Sequence, residues 1–134
     1  MLTYECADSA DDIAQNLITS IELNKMRVVA HINGQANAAK IGKTVPADQI
    51  LEVFRPDFAV RVWQACKPAG MDIPLRIHIY ENDAGNTIVA FRTASEIFAP
   101  YANADLTEIG NELDVIFASI LQVVESNAEE MVDG

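Results

Sequence analysis

Residues 74–81 read Pro-Leu-Arg-Ile-His-Ile-Tyr-Glu. Side chains of an extended strand alternate between its two faces, so Leu75, Ile77 and Ile79 fall on one side and Arg76, His78 and Tyr80 on the other. These three residue types suit recognition. A guanidinium grips anions with a planar fork of donors, an imidazole titrates near neutrality, and a phenol adds a flat apolar ring with a polar tip. Two further segments extend the row. The run MRVVAHI sets Arg27 and His31 on the same side as Val29, and NTIVAFRT adds Arg92, with Glu52 available from the run QILEVF. Arg76, His78, Tyr80, Arg27, His31 and Arg92 are therefore the candidate ligand-binding or contact face. The acid or base that would tune His78 for proton transfer is not identifiable in the sequence, so no catalytic residue is assigned.

Other chemistry-bearing patterns fail on spacing. The tetrapeptide IGKT at 41–44 resembles the end of a phosphate-binding loop, but the first glycine of that motif would stand at position 37, which is Asn37. Val45-Pro46 also denies it the following helix whose N-terminus would hold the phosphate. His31 and His78 are the only 2 histidines and bring no evident third ligand, so no metal or cofactor is expected. The carboxylates Glu81, Asp83, Glu108, Glu112 and Asp114 read as a solvated face, with nothing marking a particular pair for acid-base work. Ser9, Ser20, Ser95, Ser119 and Ser126 sit at caps, helix positions or loops, without the strand-to-helix elbow of a hydrolase. Cys6 and Cys66 form neither a redox pair nor half of a zinc set, and read as free thiols packed in the core.

The elements that must position the row follow from periodicity. LTYEC alternates as a first strand, and Ser9 with Asp12 three residues on opens a helix whose stripe is Ile13, Leu17 and Ile21. MRVVAHI is a second strand. Residues 33–47 carry a poor signal and read as a mobile connection with room for a short helix near 35–41. QILEVF is a third strand, and Pro56 then starts a helix with an apolar face of Phe58, Ala59, Val62, Trp63 and Cys66. Residues 74–81 form the fourth strand, which the loop ENDAGN turns antiparallel into a fifth, NTIVAFRT. After a loop bearing Pro100 and Tyr101, Asp105 with Glu108 forms a second capping box. The last helix carries the longest stripe, Leu106, Ile109, Leu113, Ile116, Phe117, Ile120, Leu121 and Val124. Residues 125–134 read as a frayed acidic tail. This order predicts one α+β domain over 1–134, with an antiparallel or mixed sheet of about five strands and helices on one face.

With 134 residues and a net charge of −11, the chain repels phosphate backbones and anionic lipid, which argues against nucleic-acid and membrane-surface partners. The charge is uneven. Residues 1–24 hold five acids and no base, residues 25–76 eight bases and four acids, and residues 77–134 one base and eleven acids. The expectation is that the central cations pair with the acidic terminal segments. Val115 to Val124, the densest apolar stretch, falls short of a bilayer span. Residues 1–5 lack the basic start of a secretory signal, and a cytoplasmic location is expected.

The run ILEVFRPDFAVRVWQACKPAGMDIPLRIHIYE, then Phe98-Ala99-Pro100-Tyr101, then ELDVIFASI, resembles the bacterial and archaeal proteins grouped as domain of unknown function 302. The matching positions are Arg55-Pro56, Ala59, Gly70, Ile73-Pro74, Tyr80-Glu81 and Asp114. The resemblance implies a compact α+β fold similar to the TATA-box-binding-protein fold class. It implies no established activity and no catalytic residue, and fold similarity does not bring DNA binding with it. The expected function is a non-enzymatic homodimeric module that binds a small anionic ligand or a protein partner on its open sheet face. The alternatives are an enzyme using a histidine acid or base with an arginine anion clamp, or a purely structural assembly protein.

Overall fold

A computed structural model describes residues 1–125 and 129–131. Its strands are β1 (Leu2–Cys6), β2 (Arg27–Asn33), β3 (Asp48–Phe54), β4 (Leu75–Glu81), β5 (Thr87–Phe91) and the short β6 (Glu129–Met131). The helices are α1 (Ala10–Leu23), α2 (Gly34–Ala39), α3 (Pro56–Ala65), α4 (Ala94–Phe98) and α5 (Ala104–Glu125), with 3-10 turns at Lys67–Asp72 and Ala99–Tyr101. The fold is α+β. Among the described residues the strands form one sheet in the order β2-β3-β4-β5-β1-β6, and every neighbouring pair is antiparallel.

Alternation along the strands makes the two sheet faces different. Leu51 and Val53 of β3, Leu75, Ile77 and Ile79 of β4, and Val89 and Phe91 of β5 are buried and face the helices. Helix α1 packs over β2, β3 and β4 and against α5, which also meets α3 and α4. Ile13, Leu17 and Ile21 of α1 meet that core, as do Leu106, Ile109, Leu113, Phe117, Ile120, Leu121 and Val124 of α5. Phe117 stacks on Phe91 with centroids 4.9 Å apart, which ties α5 to the middle of the sheet.

Local chemistry explains most boundaries. The Ser9 hydroxyl accepts from the Asp12 amide at 3.1 Å, capping α1 as its sequence predicts. The β4–β5 hairpin closes through Asn82, whose side-chain oxygen accepts from the amides of Ala84 and Asn86, with Gly85 at φ 83° where a side chain would be strained. Helix α5 departs from expectation at its start. Its cap is Asn103, whose Oδ1 accepts from the Leu106 amide at 2.9 Å, so Asp105 lies inside the first turn rather than at a capping box.

Three other segments differ from the sequence reading. Residues 33–47 are ordered locally, because Asn33 caps α2 through the Ala36 amide and Gln35 donates to the Val45 carbonyl. The stretch after β5 holds α4, capped by the Thr93 hydroxyl, and the Asp114 carboxylate accepts from the Ser95 amide. Within the span expected to fray, Glu125 closes α5 and Glu129–Met131 pairs with β1; residues 126–128 and 132–134 lie outside the described residues.

Candidate functional site

Strand β4 lies between β3 and β5, so its outward row is flanked on both sides. On the face turned away from the helices, His78 is paired with Ile50 and Ala90, Tyr80 with Asp48 and Ile88, and Arg76 with Glu52. Ile77 pairs with Phe91, and the same register brings Arg92, one residue past β5, level with Arg76. Arg76, His78, Tyr80 and Arg92 line one depression of about 680 Å³, with Ala90 and Thr3 among its other walls.

The electrostatics of this depression are one-sided. Arg76 and Arg92 are exposed, and among the described residues neither guanidinium takes part in a hydrogen bond or ion pair. Glu52, though opposite Arg76 in register, forms no ion pair with it. The rim also holds Asp72, which accepts a hydrogen bond from the Tyr101 hydroxyl. That bond pushes the Tyr101 phenol above its ordinary 10.0, with desolvation adding to it. The rim carboxylate is thus engaged elsewhere, and the two guanidiniums stand level with each other without a side-chain partner among the described residues.

His78 has the partner that sequence reasoning missed. Its Nε2 lies 3.0 Å from Asp48 Oδ2, and a carboxylate only accepts, so Nε2 carries the proton. The imidazole also stacks on Tyr80, with centroids 4.6 Å apart and planes at 28°. Asp48 is the first residue of β3, and reading that strand as starting at Gln49 hid it. Extending the alternation by one residue would have placed Asp48 beside Tyr80.

Of the predicted face residues, His31 lies on the other face, and Arg27 keeps its face but stands apart from the depression. Val28 pairs with Val53 and Ala30 with Glu52, so Val29 is an extra residue in β2, a β-bulge that shifts the alternation. His31 consequently pairs with Leu51 and turns to the helix side. There its Nε2 donates to Gln49 Oε1 at 2.7 Å, and Gln49 donates to Asp11 at 2.7 Å, a chain that links β2, β3 and α1. Arg27, opposite Phe54 at the other end of β2, lines a different groove, together with Val29, Trp63 and Pro74.

The remaining candidates behave simply. Cys6 is buried and Cys66 half-buried, both as free thiols, and burial pushes the Cys6 thiol up, aided by Asp8 and Glu5. Among the described residues no group of three or more histidine, cysteine or carboxylate side chains is arranged to hold a metal, and no helix is long and apolar enough to cross a membrane. Among the described residues, pairing between the central cations and the acidic termini is limited to Arg61 with Glu112, which holds the Glu112 carboxyl below its ordinary value through a side-chain hydrogen bond. Arg55 pairs locally with Asp57 instead.

A comparison with curated proteins finds no match. Among solved structures, the chain is similar to an uncharacterized conserved DUF302 protein from Bacillus stearothermophilus, at 19% identity and a TM-score of 0.80. The likeness covers 91% of this chain and 95% of that one. At this identity it carries the fold only. The family model described as domain of unknown function DUF302 matches residues 2–125. The chain thus belongs to the DUF302 family.

Proposed function

We propose that this DUF302 protein is a cytoplasmic, non-enzymatic, homodimeric module that binds a small anion on its open sheet face. The observation that carries the reading is the pair of unpartnered guanidiniums, Arg76 and Arg92, level with each other across β4 and β5 in one depression. Inside a chain of net charge −11, two neighbouring free cations repel each other and relax when an anion lies between them. Tyr80 and the stacked His78 form an adjoining aromatic wall. The dimeric part is supported by Ile50 on the helix-free face and by its exposed ladder partner Ile32 on β2, more apolar surface than water requires there.

Thermal shift with inorganic phosphate, sulfate and malonate tests the anion site. A ligand present at about 100 times its dissociation constant stabilises by about 2.7 kcal/mol. That stabilisation should vanish in Arg76→Ala and in Arg92→Ala, and weaken only slightly in His78→Ala. Stabilisation that survives both arginine variants would overturn the site.

One contact favours a second reading. The Asp48–His78 hydrogen bond is the arrangement that orients an imidazole for acid-base work, and Arg76 would then hold an anionic substrate. Under that reading a turnover assay is abolished by His78→Ala and reduced by Asp48→Asn, with fold and mass unchanged.

A further inference from the structure

We propose that the groove between β2, α3 and the Lys67–Asp72 turn is a second binding site, which takes a small apolar molecule carrying one carboxylate. The groove encloses about 520 Å³, within the range of roughly 300–1,000 Å³ typical of small-molecule sites. It shares only Pro74 with the depression at Arg76 and Arg92, so its occupancy is a separate question.

Its walls are built to stay apolar. Trp63 lies on α3, where Phe58 and Val62 are buried, yet its own side is 50% exposed and lines the groove. A Cβ on Gly70 would stand 3.2 Å from Trp63 Nε1, so the indole edge rests against bare glycine backbone and is held as a wall. Val29, the bulge residue, 60% exposed, and buried Phe54 also line it. Core-type side chains thus line a cleft that solvent reaches, the composition of a ligand site rather than of a solvated surface.

The groove holds two cations, and their states differ. Arg55 is engaged by Asp57 at 2.6 Å and lies over the Phe58 ring at 4.8 Å. Arg27 is exposed, and among the described residues its guanidinium has no hydrogen bond or ion pair. One free guanidinium beside an apolar cleft matches a single carboxylate on an apolar body.

Trp63 is the only tryptophan, so its emission reports this groove without labelling. Titration with octanoate should give a saturable blue shift, and 1-octanol, which lacks the charge, a weaker one. Arg27→Ala removes an exposed side chain without an internal partner, so the fold is kept. It should weaken octanoate by about tenfold, the scale of one charge-assisted hydrogen bond, and leave 1-octanol unchanged. The proposal is overturned if no saturable change occurs through the millimolar range, or if octanoate binds Arg27→Ala as it binds the parent. A blue shift that rises with protein concentration without octanoate, alongside a doubled mass, would also overturn it, because a second copy would then fill the groove.

Discussion

At the scale of single residues, the side chains that mattered were legible by type and illegible by partner. The alternation of residues 74–81 put Arg76, His78 and Tyr80 on one face, where the structure has them. Asp48 and Trp63 were missed for different reasons. Asp48 sits at a strand end, where one residue of boundary error removes a neighbour; Trp63 satisfies the helical spacing of a core residue, but the bare backbone of Gly70 supports it at the surface instead. Cys6 offers a residue-level test. Burial, then the Asp8 and Glu5 charges, raise its thiol above 9.0, so the unfolded chain releases that proton at lower pH than the native one. Stability should therefore be full below the ordinary thiol value and fall as pH rises above it. Tyr101, also raised, adds to the same decline. Denaturant midpoints at about pH 7 and about pH 10 should converge in Cys6→Ala relative to the parent; an equal alkaline drop in both proteins would remove Cys6 from the account.

At the scale of elements, strong periodicity predicted well and weak periodicity did not. Seven of the eight apolar residues in the α5 stripe are buried and Ile116 is partly so, because their helical spacing makes one continuous face. Phe117→Ala removes a ring that is 1% exposed and stacked on Phe91, and should cost about 3–5 kcal/mol through lost burial and the cavity left behind. A urea midpoint equal to that of the parent would show that the ring is not where the packing has it. By contrast, α2 and α4 are held by side-chain caps from Asn33 and Thr93, and short capped helices leave no periodic trace in composition. The bulge in β2 is equally silent in sequence, since one extra residue changes phase without changing residue type. That silence is why His31 was assigned to the wrong face.

At the scale of the whole molecule, one covered sheet face and one uncovered face invite association. The proposed dimer should give a light-scattering mass near twice 14.6 kDa at micromolar concentration, and Arg76→Glu should halve it. A mass near 14.6 kDa for the parent throughout that range would remove the dimer. The β-bulge at Val29 bears on how copies can meet. An outer strand whose register against β3 is broken between Val28 and Ala30 presents a less regular template, which disfavours addition of another chain in register. Growth by strand addition has no bound, whereas contact through faces closes once two surfaces are satisfied. One extra valine thus favours, for the proposed dimer, a contact that ends over one that propagates.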